Sequence, residues 1–197
     1  MMTQAQALQV LARHRGTRVV IASMGSAAVW PGLSDTPLDF VHIPSSMGQA
    51  PALGLGLALA HPARGCIVLS GDGSLLMNLG CLVTIAAHPT DLYLVVLDNG
   101  LYEITGGQPT AGSGCIDFAA LARAAGISRA YAFAELASWE AGAAAALSGP
   151  GPTLSWVRIE GRRGQGVPTP PRPMREQIRR LQQALGVEAL FPEDKGE

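Results

Sequence analysis

Two short turns carry the residues best suited to chemistry. Asp72 stands in GDGS and Asn99 in DNG, and each turn follows a continuous apolar run: GCIVLS at 65–70 and LYLVVL at 92–97. A carboxylate and an amide are hard oxygen donors, which suit Mg²⁺ or Ca²⁺ better than zinc. Magnesium takes one or two protein oxygens and fills its octahedron with phosphate oxygens and water. No Lys or Arg occurs between Arg64 and Arg123. A phosphate bound here would be neutralised by metal and backbone dipoles, not by basic side chains. Gly71 and Gly73 let the backbone turn sharply around Asp72. Ser74 and the free N–H groups opening the next helix can face an anion. Either motif alone is an ordinary turn. The pair, with 25 residues between Gly73 and Asn99, is far more specific.

Other chemistries find little support. Cys66, Cys81 and Cys115 are widely spaced and form no CxxC, which argues against a disulfide frame, a zinc site or an iron–sulfur cluster; each reads as a buried structural thiol. The only lysine, Lys195, lies in a polar tail, so neither a Schiff base nor a Walker lysine is expected. The net charge of -1 points to no nucleic-acid or acidic-membrane partner. The N-terminus lacks the apolar core of a signal peptide, and the apolar run 50–60 is too short to span a bilayer. A cytoplasmic protein is expected.

The elements that must position Asp72 and Asn99 alternate. Helices are expected at 3–13 (Thr3 as cap), 48–60 (buried), 75–87, 117–125 (Asp117 as cap), 135–148 and 174–185. Strands are expected at 18–22, 39–43, 65–70, 92–97, 128–133 and 153–159. Residues 105–114 read as a Gly-rich loop. This is an α/β fold: a doubly wound, mostly parallel sheet with helices on both faces. Right-handed βαβ connections then bring Asp72 and Asn99 to one sheet edge, just past two strand C-termini, where open α/β sheets bind ligands. Residues 1–160 form the expected binding domain, and 161–197 a linker, one helix and a tail.

GDGSLLMNLG followed by VVLDNGLYEITGGQPT resembles the signature of thiamine-diphosphate (ThDP) enzymes, and the resemblance, over about residues 18–159, is to their diphosphate-binding (PP) domain. DNG-x-Y-x-x-TGGQPT looks most like phosphonopyruvate and sulfopyruvate decarboxylases, and the short chain is similar to a sulfopyruvate decarboxylase β subunit. The resemblance implies Mg²⁺ held by the Asp72 carboxylate, the Asn99 amide oxygen and the Leu101 carbonyl. It implies diphosphate contacts from Gly73 and Ser74, with Gly71 and Tyr102 also at the cofactor. Ser45 would offer a carbonyl to the aminopyrimidine, and Met47 would wedge under the cofactor, unless it is simple core packing. Ser23, Met24 and Gly25 resemble the strand-end loop lining the same site. Tyr102, Thr105 and Gln108 would touch substrate, unless TGGQ is only a mobile loop. Asp98 is either a third oxygen near the metal or a turn residue, and the related decarboxylases favour the turn. His42 precedes the pyrimidine segment but fits a structural role better. Arg162 and Arg163 could bind an anionic substrate, with solvated linker charges as the default.

In such enzymes the glutamate that activates the cofactor belongs to a pyrimidine-binding (PYR) domain. No Glu precedes Glu103, and the only acids before Asp72 are Asp35 and Asp39. The resemblance therefore implies a PYR-domain α subunit completing the site in a hetero-oligomer. The implied reaction is decarboxylation of a small 2-oxo acid. The alternatives are an acetolactate-synthase-like carboligase subunit and a non-catalytic module of the same fold; a ferredoxin-linked oxidoreductase subunit fits less well because no cluster site is evident.

Overall fold

The structure is a computed structural model and describes residues 1–42, 47–164 and 166–187. Its strands are β1 (Val19–Ser23), β2 (Asp39–His42), β3 (Cys66–Gly71), β4 (Leu92–Asp98), β5 (Leu101–Tyr102), β6 (Gln108–Pro109), β7 (Arg129–Phe133) and β8 (Thr153–Arg158). Six of them form a sheet in the order β2-β1-β3-β4-β8-β7, every neighbouring pair parallel. Chain order reverses between β1 and β3, so the crevice beyond their C-terminal ends is the switch point where such sheets bind ligands. β5 and β6 form a small antiparallel hairpin.

Helices are α1 (Gln4–His14), α2 (Ser26–Val29), α3 (Ala50–Ala60), α4 (Asp72–Leu76), α5 (Cys81–Ala86), α6 (Phe118–Ala124), α7 (Leu136–Ala146) and α8 (Met174–Leu185). The strands are apolar on both faces because both are covered. Val20, Ile67, Leu69 and Val95 face α1 and α7, whereas Ile21, Val68, Leu94 and Val96 face α3, α5 and α6. Trp139 Nε1 donates to the Ala7 carbonyl at 2.9 Å, tying α7 to α1. Thr3 caps α1 in a reciprocal box with Gln6, and Asp117 caps α6 through the Ala120 N–H. Gly54 permits the close seat of α3 on the sheet: a Cβ there would stand 2.2 Å from Val68 Cγ2.

Four expectations change. The helix expected at 75–87 is two short helices, because Asn78 and Gly80 interrupt it and the Asn78 amide donates to the Gly48 carbonyl at 3.0 Å. The loop expected at 105–114 contains β6. Helix α3 is not buried all round: Leu53 and Leu59 are 36% and 47% exposed. Cys66 and Cys81 are buried free thiols, but Cys115 is exposed.

Helix α8 packs on the domain that precedes it. Leu181 joins the core, and Gln177 Oε1 accepts the Val41 N–H of edge strand β2 at 2.9 Å, which covers an otherwise open strand edge. No helix among the described residues is long and apolar enough to cross a membrane.

Candidate cofactor and metal site

The C-terminal ends of β1, β3 and β4 and the β5–β6 hairpin line a cleft. Asp72 opens α4 directly after β3 and is 2% exposed. Its Oδ2 accepts from Thr110 Oγ1 at 2.9 Å, and the backbone N–H groups of Gly73 and Asn99 also support the carboxylate. Burial, and then the nearby Asp98 carboxylate, nevertheless push its pKa up to about 6. Among the described residues no cationic side chain pairs with it. A buried acid beside a second acid, without a cation, is a site that a divalent ion would stabilise.

The neighbouring oxygens fit that ion. Asn99 Oδ1 accepts the Leu101 N–H at 2.8 Å, which orients the amide and leaves a second lone pair. Leu101 lies opposite Pro109 in the hairpin, and Pro109 has no N–H to claim the Leu101 carbonyl. Asp98 is turned away: Oδ1 accepts from the Gly100 N–H at 3.0 Å and Oδ2 from Trp156 Nε1 at 2.7 Å. Among the described residues no cluster of three His, Cys, Asp or Glu could hold a metal. One carboxylate, one amide oxygen and one carbonyl, completed by phosphate oxygens, is a set magnesium accepts and zinc does not favour.

Gly71, Gly73 and Ser74 line the cleft, and no side chain caps the first turn of α4. Ser74 Oγ accepts the Gly48 N–H at 2.9 Å. With the Asn78 bond, this fixes the turn that places Met47 in the cleft wall. Gly48 has φ +85, and a Cβ there would stand 2.7 Å from Asn78 Cβ, so only glycine fits. Met24 holds φ +55, rare for a side chain of its size, and lines the cleft beside Gly25.

Leu101, Tyr102 and Thr105 line the cleft as well. Other expected residues do not. Ser23 is buried with its hydroxyl donating to the Leu69 carbonyl at 2.7 Å, a tie between strands. The Gln108 side chain folds over Gly106 on the exposed side of the hairpin. His42 stacks on Phe40 outside the lining, and burial lowers its pKa. Ser45 lies outside the described residues. Gln4, Glu103 and Thr110 belong to the site without having been singled out from the sequence. Thr110 lies in the TGGQPT string, but nothing local marks its hydroxyl as a partner of Asp72; Gln4 comes from α1 and carries no signal in the sequence.

Thr110→Val keeps the shape and removes the hydroxyl. If Asp72 is a metal ligand, the expected result is a roughly 10- to 100-fold loss of Mg²⁺ affinity, in the range for groups that orient metal ligands, measured by calorimetric titration.

The family described as thiamine pyrophosphate enzyme, C-terminal TPP binding domain, matches residues 23–155. A phosphonopyruvate decarboxylase of Streptomyces hygroscopicus is 37% identical over 159 residues, 80% of this chain and 39% of that protein. The sulfopyruvate decarboxylase subunit beta of Methanothermobacter thermautotrophicus is 42% identical over 129 residues, 65% of each. The chain therefore spans well under half of the first relative and about two thirds of the second. Among solved structures, a thiamine diphosphate-dependent 4-hydroxybenzoylformate decarboxylase of Rhodococcus jostii RHA1 superposes with TM-score 0.64 at 23% identity, over 82% of this chain and 33% of that one. At that identity the likeness is one of fold.

Proposed function

The chain belongs to the thiamine pyrophosphate enzyme family through its C-terminal TPP-binding domain, and from this we propose that it is the diphosphate-binding subunit of a ThDP- and Mg²⁺-dependent 2-oxo acid decarboxylase of the sulfopyruvate or phosphonopyruvate type. The observation that carries the reading is Asp72: a buried carboxylate with no cationic partner among the described residues, at the sheet's switch point, beside the Asn99 amide and the Leu101 carbonyl. These three would hold magnesium, and the magnesium would hold the diphosphate. ThDP, when bound, supplies a nucleophilic carbon and an electron sink for loss of CO₂.

This chain's residues would bind and orient. Gly73 and Ser74 would present N–H groups to the diphosphate, and Met47 would support the cofactor from the cleft wall. Tyr102 and Thr105 would face the substrate and limit water around it. Among the described residues, two carboxyl groups line the cleft, Asp72 and Glu103, and Glu103 already accepts the Arg162 N–H. The activating glutamate is assigned to a PYR-domain α subunit, a reading supported by relatives named subunit beta. The exposed apolar side of α3, with Leu53 and Leu59, suits contact with such a chain. We place the assembly in the cytoplasm.

The test combines this chain with a PYR-domain chain, ThDP and Mg²⁺, and follows CO₂ and product. Free aldehyde with release of CO₂, lost in Asp72→Ala, is expected. A coupled hydroxyketone without free aldehyde would make it a carboligase, and activity unchanged in Asp72→Ala would refute the site.

A further inference from the structure

The chain after β8 runs as a strap along the metal loop and the hairpin. Ile159 N–H donates to the Asp98 carbonyl at 2.8 Å, and Glu160 N–H to the Met2 carbonyl at 2.9 Å. Gly161 lies so close that a Cβ would stand 2.8 Å from Leu101 Cδ1 and 3.0 Å from the Asn99 carbonyl oxygen. Arg162 N–H donates to Glu103 Oε1. The other Glu103 oxygen lies 3.6 Å from where a Cβ on Gly25 would be, across the cleft wall. The stem of Arg163 then lies against Gly107, where a Cβ would stand 3.1 Å from Arg163 Cγ. Gly107 has φ +73 and no side chain, so the stem can lie flat on the hairpin.

The Arg162 backbone and the Arg163 stem are thus held against Glu103 and the hairpin, with both side chains exposed, next to a cleft whose lining, among the described residues, holds Asp72 and Glu103 but no Lys or Arg. Arg158, the preceding basic residue, is turned over the Trp156 ring, 5.8 Å from its centroid. A 2-oxo acid with a second anionic group brings two negative charges to a site that already holds a diphosphate. That is unfavourable in a partly dehydrated cleft unless a cation meets the second group. A guanidinium matches a tetrahedral phosphonate or sulfonate through paired N–H donors.

We propose that Arg163, with Arg162 beside it, binds the second anionic group of the substrate and selects doubly charged 2-oxo acids over singly charged ones. Glu103 is a positioning residue that anchors the strap through the Arg162 N–H. The proposal rests on the decarboxylase reading above.

The test uses the assembled enzyme and three substrates: sulfopyruvate, phosphonopyruvate and pyruvate. In Arg163→Met, KM for the two doubly charged acids should rise about 10- to 100-fold, with a much smaller change for pyruvate. Ki for sulfoacetate and phosphonoacetate should rise in parallel, and Arg163→Lys should recover part of the loss. A larger effect on one acid than the other tells sulfonate from phosphonate recognition. Glu103→Gln should move KM in the same direction by less. An equal KM change for all three substrates, or unchanged Ki values, would overturn the assignment. If the wild-type enzyme released CO₂ from no 2-oxo acid, the decarboxylase reading would fall with it; if it did and Arg163→Met matched it, only the arginine assignment would fall.

Discussion

Asp72→Asn should cost at least about 100-fold in Mg²⁺-dependent cofactor affinity, since loss of a ligand exceeds loss of a group that merely orients one, and should make the metal-free chain more stable. The second effect follows from charge. The folded protein holds the Asp72 proton up to about pH 6, because burial and the Asp98 carboxylate disfavour the anion. The unfolded chain releases it near pH 4. Between these values the folded state binds the proton more tightly, so stability falls as pH rises from 4 through 6, and the penalty is complete above 6. It amounts to about 2–3 kcal/mol at neutral pH. Asparagine carries no such charge. Chelator-treated protein, unfolded in denaturant from pH 4 to 8, should show this slope in the wild type and lose it in Asp72→Asn. A variant destabilised equally at every pH would contradict the account. A buried acid hydrogen-bonded but without a cationic partner among the described residues, kept where its charge costs stability, is what the proposed metal site calls for.

Gly73→Ala should disable the same site by geometry. A Cβ on Gly73 would stand 2.5 Å from Tyr102 Cε1 and 3.0 Å from Thr110 Cγ2. The ring must move, and with it the hairpin that carries the Leu101 carbonyl and the Thr110 hydroxyl. We expect about 1–3 kcal/mol of destabilisation from overpacking and a 10-fold or greater loss of ThDP affinity, because metal donors tolerate little displacement. Tyr102→Ala in the same chain should restore part of the binding, and this coupling is the check. If Gly73→Ala bound ThDP like the wild type, close contact between α4 and the hairpin would not be what holds the site.

The placement of Asp72 and Asn99 was legible in the sequence because each follows a wholly apolar strand. Parallel βαβ connectivity then sends both strand ends to the same edge. The caps at Thr3 and Asp117 were legible for a similar reason: they depend on neighbours three residues away. What remained hidden depends on residues distant in sequence. Thr110 reaches Asp72 across 38 residues. Ser23, placed by resemblance at the cofactor, spends its hydroxyl on Leu69 46 residues later. The break between α4 and α5 is stabilised by Asn78 bonding back to Gly48, which no local propensity reports. The hairpin was invisible because two-residue strands have no periodicity to read.

In the proposed function, Asp72, Asn99 and the Leu101 carbonyl bind a divalent cation together with a diphosphate. Electron paramagnetic resonance of Mn²⁺ added to this chain, assembled with a PYR-domain chain, decides it. Bound Mn²⁺ should require ThDP, show ³¹P hyperfine coupling to the diphosphate, and disappear in Asp72→Asn. Mn²⁺ bound equally without ThDP, or the same ³¹P coupling in Asp72→Asn, would show that the metal site lies elsewhere.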